Sequence, residues 1–307
     1  MKLEKNDAPS RESEPIAKES ITATLVRKLI SSQFPQWQEL TVCKVVPGGW
    51  DNVTFRLGEE LLVRLPSATR YAPQVEKEQR WLPLLSNAIL FNIPSPVAMG
   101  LPSKDFPWNW SIYKWIPGEV GSKESVFDEI TLANDIVQFL TQLHACTTVD
   151  APHPGAHNFY RGGALHVYED ETYSLLRQLD GIIDTDAVGR IFARALKSEW
   201  KREPVWVHGD FSASNILVSG SRLKAVIDFG SSAVGDPACD TAIAWTFFGA
   251  EARTLLTRKL NLDEATWERG KGWVLWKSML LLANNLRADQ SVVQSSKAII
   301  EQIIVDG

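Results

Sequence analysis

Apolar residues recur along this chain with two different periods, and the change between them divides it. From residue 42 to residue 116 the apolar runs are short and bounded by turn chemistry. Residues 42–46, 53–57, 61–65 and 110–116 read as strands, broken by Pro47-Gly48-Gly49, by Gly58-Glu59-Glu60 and by a connection that Pro94 and Pro96 bound. A helix is expected ahead of them, from about Ile16 to Gln33, where Ile21, Leu25, Val26, Leu29 and Ile30 share one face. A second helix, carrying Glu76, Glu78, Trp81, Leu82 and Leu85, falls between the third and fourth strands. Beyond Pro117-Gly118 the helical period takes over. It predicts helices over 130–143, 168–179, 188–200, 242–248, 252–260, 265–286 and 292–305, with a short β stretch inserted between residues 205 and 228.

At 307 residues the chain has room for about two domains, each with its own core. The pattern gives an α+β fold: a polar tail over residues 1–15 that reads as disordered, a small sheet-based lobe over 16–116 and a mostly helical lobe over 117–307. Composition then narrows the partners. A net charge of −5 argues against nucleic acid, since phosphate neutralisation needs clustered Lys and Arg. There is no run of 18 apolar residues, so no membrane span is expected. The polar start lacks the apolar segment of a secretory signal. Cys43, Cys146 and Cys239 are odd in number and widely spaced, which suits a reducing compartment and a cytoplasmic location.

The chemistry sits in the inserted β stretch. It reads H-G-D-F-S-A-S-N-I-L-V, a Ser-Gly-Ser-Arg turn, then L-K-A-V-I-D-F-G. If the two apolar runs pair as a hairpin, Asn215 precedes the first strand and Asp228 follows the second, so both stand at its open end. An amide oxygen and a carboxylate there can share a hard cation that also binds phosphates. Asp210, on the loop before, can reach the same point as a base. The spacing D-x-x-x-x-N followed by D-F-G is the phosphoryl-transfer pattern, with Gly209 where protein kinases carry Arg. Only five residues separate Gly230 from Asp236, too few for the platform on which a protein kinase lays a polypeptide, so a small hydroxylated acceptor is favoured.

These motifs, with V-I-D-F-G and G-D-P-A-C-D, resemble the aminoglycoside phosphotransferase family over nearly the whole chain after the tail. The resemblance implies a protein-kinase-like bilobal fold, with a small β-sheet N-lobe and a mostly helical C-lobe. It makes Asp210 the catalytic base, has His208 brace the catalytic loop, and assigns Mg²⁺ to Asn215 and Asp228. Asp240 is expected to support the loop by hydrogen bonding. Gly48 and Gly49 match the family's phosphate-covering turn, where backbone N–H groups approach phosphate with no Cβ in the way.

Arg64 stands where protein kinases carry Lys. Leu61, Val63 and Leu65 share one strand face and Leu62 and Arg64 the other, so Arg64 could clamp phosphate oxygens. Glu78 is its expected partner in preference to Glu76, standing four before Leu82 and seven before Leu85. By resemblance Tyr113, Lys114, Trp115 and Ile116 form the interlobe hinge, whose backbone would bond the purine of ATP or GTP. The expected function is transfer of a γ-phosphoryl group to an aminoglycoside-like hydroxyl. A macrolide, a sugar or an amino alcohol is the alternative acceptor, and a nucleotide-binding pseudoenzyme the alternative outside catalysis. Trp273 and Trp276 read as core, the acidic stretch 169–186 as a solvated face, and no acceptor residue is named.

Overall fold

The computed structural model describes residues 18–46, 48–49 and 51–306. The expected tail, and Pro47 and Trp50 of the first glycine turn, lie outside the described residues. The chain divides into two units: one runs to residue 83 and includes 94–116, the other comprises 84–93 and 117–307.

In the first unit, helix α1 (Ala23–Gln33) begins at Thr22, whose hydroxyl accepts the Leu25 amide at 3.2 Å. A five-stranded antiparallel sheet follows, with β1 (Val42–Lys44), β2 (Asn52–Leu57), β3 (Leu61–Pro66), β4 (Pro96–Gly100) and β5 (Trp110–Lys114) in the order β1-β2-β3-β5-β4. Strand β4 was expected to be a connection. Pro96 cannot donate to a ladder, but an edge strand tolerates it, and β4 is an edge. Phe55, Leu57, Val63, Leu65 and Ile112 form a core with Val26, Leu29 and Ile30 of α1. Strand alternation therefore turns Leu62 and Arg64 to the opposite face of the sheet. Helix α2 (Pro73–Ser86) is fastened to the sheet by Gln79, whose amide donates to the Ala98 carbonyl and the Ser111 hydroxyl, each at 3.0 Å.

In the second unit, β6 (Glu119–Val120) precedes helix α3 (Glu129–His144), which Asp128 caps through the Thr131 amide at 3.0 Å. Helices α4 (Glu169–Gln178) and α5 (Thr185–Ala195) come next. Helix α5 was expected to reach Trp200. Its buried stripe of Val188, Ile191, Phe192 and Ala195 ends at Ala195, and the Trp200 indole donates instead to the Glu203 carbonyl at 3.1 Å. Strands β7 (Val205–Val207), β8 (Ile216–Ser219), β9 (Arg222–Val226) and β10 (Ala233–Gly235) form two small sheets, β6-β8-β9 and β10-β7. Helices α6 (Ile243–Thr246), α7 (Ala250–Lys259), α8 (Glu264–Asn285) and α9 (Gln290–Val305) complete the unit.

The β8–β9 hairpin is pinned to α3 by the buried Asp135. Its carboxylate accepts Arg222 Nε at 2.7 Å, Arg222 Nη2 at 2.9 Å and the Leu223 amide at 3.0 Å. The segment 84–93 belongs here because Leu90 bonds Gln142 of α3, and Asn92 bonds both Lys224 and Val226 of β9. On α8, Trp267, Trp273 and Trp276 are buried as core. Tyr168 stacks on Trp276 with ring centres 3.9 Å apart, and the Trp276 indole donates to Glu171 at 2.7 Å. No helix among the described residues is long and apolar enough to cross a membrane.

His144, in the last turn of α3, makes the stability of this unit pH-dependent. Its Nε2 is enclosed without a partner among the described residues, and burial lowers its pKa from 6.5 to about 4. The helix C-terminus favours the imidazolium, yet burial wins. Because the folded pKa is depressed, stability is fully present above the unfolded value of 6.5 and falls as pH drops from there towards 4. The loss is at most about 3 kcal/mol, at 1.36 kcal/mol per unit. Denaturant melts of wild type and His144→Leu across pH 7 to 4 should show a shallower slope in the variant; parallel slopes would contradict the assignment.

Candidate active site

Strand β7 delivers the loop over residues 208–215 from a fully buried anchor. Trp206 and Val207 are excluded from solvent, and the Trp206 indole donates to the Thr147 carbonyl at 2.7 Å. His208 follows, also fully enclosed. Its Nε2 donates to the Ile227 carbonyl at 2.9 Å and its Nδ1 accepts the Asp210 amide at 3.3 Å, an arrangement that specifies the Nε2–H tautomer. His208 therefore touches loop backbone on both sides, holding the end of β9 to the catalytic loop. It cannot meet a substrate.

Gly209 adopts φ 84°, and a Cβ there would lie 2.2 Å from the Ser231 carbonyl oxygen and 3.0 Å from Arg161 Cβ. A side chain of any kind is excluded, which accounts for glycine at this position. Below the loop, the buried Asp240 carboxylate accepts the His208 amide at 2.6 Å and the Gly209 amide at 2.8 Å. Burial raises the Asp240 pKa, and these two amide bonds oppose the rise. Asp236 is held in turn by Arg269, with Nε–Oδ2 at 2.6 Å and Nη2–Oδ1 at 3.2 Å, both residues buried.

On this base stand the chemistry-bearing residues. The turn Ala213–Asn215 opens β8, and Asn215 Nδ2 donates to the Asp210 carbonyl at 2.8 Å and to Asp210 Oδ2 at 3.1 Å. Asp210 is exposed while Phe211 beside it is buried, so a carboxylate is presented to solvent from a rigid support. Across the hairpin Ile216 pairs with Val226, and the Ile227 amide donates to the Asn215 carbonyl at 2.8 Å. Asp228 comes next in the left-handed region, with φ 65° and ψ 65°. Asp210, Asn215 and the turn at Asp228 are thus tied by consecutive hydrogen bonds.

The donor set fits Mg²⁺. Asn215 uses its amide nitrogen on Asp210, so its amide oxygen could serve as a hard ligand, and Asp228 supplies a carboxylate two residues after the strand paired with β8. Among the described residues no cluster of three or more His, Cys, Asp or Glu could cage a metal. A small cation completed by water and phosphate oxygens suits so few protein ligands.

In the first unit Arg64 Nη1 lies 3.2 Å from both Glu78 oxygens. The Tyr113 hydroxyl donates to Glu78 Oε2 in a short bond. Burial, with the Glu78 charge second, raises the Tyr113 pKa well above its ordinary value, so the phenol stays a neutral donor. Glu76 bonds Asn109 at 2.7 Å instead. Two amides of the expected purine-binding segment are engaged within the unit, Lys114 N with Ser95 O at 3.0 Å and Trp115 N with Glu60 O at 2.7 Å. Among the described residues, a Cβ at Gly48 would meet Val45 O at 3.8 Å and one at Gly49 would meet Asn52 O at 3.3 Å.

A model of the APH phosphotransferase enzyme family matches residues 42–273. The chain belongs to this family. Solved structures share the fold at low identity. The GDP complex of wild-type aminoglycoside 2'-phosphotransferase-IIIa aligns with TM-score 0.69 and 18% identity over 93% of this chain and 99% of its own. The streptomycin–ATP–APH(2")-IIa ternary complex gives 0.58 and 20% over 90% and 95%. A macrolide 2'-phosphotransferase type I gives 0.60 and 17% over 90% and 96%. The protein is accordingly a phosphotransferase with an alcohol group as acceptor and a protein-kinase-like fold.

Two parts of this phosphotransferase's site escaped sequence reasoning. Arg269 stands 33 positions after Asp236 and no periodicity links them. Asn158, fully buried, accepts the Gly155 amide at 2.9 Å and donates to the Arg161 carbonyl at 2.8 Å and the Ser231 carbonyl at 3.2 Å. Replacing Gly209 by Ala should destabilise the second unit by about 2 kcal/mol or more, since a left-handed φ and a backbone clash act together. Thermal melts will read it, and a Tm within 1–2 °C of wild type, under about 0.5 kcal/mol, would refute the steric account.

Proposed function

We propose that the enzyme moves the γ-phosphoryl group of ATP or GTP to a hydroxyl of a small molecule, with an aminoglycoside-like antibiotic as the first acceptor class. The observation that carries this reading is an exposed Asp210 carboxylate paired to Asn215 at the head of a hairpin, with Asp228 two residues after its other strand. Asp210 accepts the proton of the incoming hydroxyl and aims its oxygen at phosphorus. Asn215 Oδ1 and the Asp228 carboxylate hold Mg²⁺, which when bound neutralises charge on the phosphates. In the first unit, the amides of Gly48 and Gly49 and the Arg64 guanidinium, steadied by Glu78, contact the phosphates, while the segment Tyr113 to Ile116 receives the purine. Catalysis by this set is positioning and electrostatics, with little covalent work for the protein. The three free cysteines favour a cytoplasmic enzyme.

A macrolide, sugar or amino-alcohol acceptor is the second reading, and one observation favours it. Four of the acids a polycationic acceptor could use are already engaged within the chain: Asp128 and Asp184 cap helices, Glu129 pairs with Lys123, and Glu171 holds Trp276.

Asp210→Ala should lower kcat by about 10²–10⁴ with little change in the nucleotide KM, the usual contribution of a general base. Near-normal turnover in a phosphorylation screen over antibiotics and hydroxylated metabolites, with both nucleotides, would remove the assignment. Gly48→Ala should leave stability within about 0.5 kcal/mol, as expected where nothing crowds the new methyl, while raising the nucleotide KM severalfold. An unchanged KM would place the phosphates elsewhere.

A further inference from the structure

The guanidinium of Arg161 is held by stacking, while among the described residues its N–H edge makes no hydrogen bond or ion pair. Its backbone is clamped both ways: its amide donates to the Asn158 carbonyl at 3.2 Å and its carbonyl accepts Asn158 Nδ2 at 2.8 Å. Its side chain lies over two indoles, 5.1 Å from the Trp273 ring centre and 4.8 Å from that of Trp276. Those rings are fixed by Tyr168, whose hydroxyl donates to the Phe159 carbonyl at 2.8 Å. Stacking holds the face of a guanidinium and leaves its edge, with five N–H donors, free.

Among the described residues that edge makes no hydrogen bond or ion pair. In contrast, Arg64, Arg222, Arg253 and Arg269 each face a carboxylate. Arg161 also borders the catalytic loop, since its Cβ is 3.0 Å from where a Cβ of Gly209 would stand, one residue before Asp210.

We infer that Arg161 is a specificity-determining residue that binds an oxyanion beside the reacting hydroxyl; this rests on Asp210 being the base that meets that hydroxyl. The ligand chemistry is a carboxylate or phosphate, recognised by paired N–H donors. It has two possible sources, an acid group on the acceptor or the phosphoryl group once transferred.

The test uses the full chain as wild type, Arg161→Met, Arg161→Lys and Asp210→Asn. Met keeps the packing on the indoles, and Lys keeps the charge should Met fold poorly. Inorganic phosphate is titrated by calorimetry at constant ionic strength, with saturating Mg–ADP present to occupy the nucleotide site. Wild type and Asp210→Asn should bind phosphate, with affinity falling roughly ten- to a hundredfold in Arg161→Met and less in Arg161→Lys, the range for hydrogen bonds to a charged group.

Steady-state kinetics on matched acceptors with and without an acid group then separates the sources. A KM rise confined to acid-bearing acceptors identifies the acceptor's own group, and a kcat loss on every acceptor identifies the transferred phosphoryl. Phosphate affinity equal to wild type in a folded Arg161→Met or Arg161→Lys variant, with unchanged kinetics, would overturn the proposal and leave Arg161 as packing support. Full turnover in Asp210→Asn would instead remove the base assignment, an outcome visible apart from the phosphate titration.

Discussion

The second unit depends on one buried carboxylate. Asp240 makes no ion pair among the described residues; its carboxylate accepts two backbone amides, those of His208 and Gly209, and the Cys239 thiol lies 3.7 Å away. Two consecutive N–H groups converging on one carboxylate dictate the backbone path of the catalytic loop, and that path brings Gly209 against Ser231. Withdrawing either amide would leave charge in a dry interior, so the loop has no inexpensive alternative conformation. The exposed Asp210 inherits its orientation from a residue that never meets solvent.

Around this point the chain uses tertiary bonds where a protein kinase would use a longer segment. Arg269 grips Asp236, Asn158 grips Ser231, and His208 ties Ile227 to Asp210. Arg269–Asp236, Asn158–Ser231 and His208–Ile227 each join segments 19 or more residues apart. Together they explain how so short a connection from Gly230 to Asp236 stays ordered without a platform of its own.

The hairpin logic was legible in the sequence because two alternating apolar runs around a Ser-Gly-Ser turn leave only one way to place Asn215 and Asp228. The face of Arg64, and Glu78 as its partner, followed from strand and helix periods. The sequence did not show the short strands β4, β6 and β10, because two to five residues carry too little alternation to be distinguished from loops. It did not show that residues 84–93 join the second unit, since those contacts run through Asn92 and Leu90 to partners distant in the chain. Nor did it reveal that α5 stops at Ala195, where burial ends although helix-forming residues continue.

The Glu78 carboxylate is gripped from two directions, by Arg64 from one strand and by Tyr113 from another. In protein kinases the corresponding ion pair opens and closes as a regulatory hinge point. Here, parting it would strand a buried anion from a guanidinium and a phenol at once, at a cost on the order of 3–5 kcal/mol for an isolated buried pair. A toggle needs two states of nearly equal energy, and the double grip on Glu78 disfavours the parted one. This junction is therefore a poor place for a conformational throttle on the enzyme.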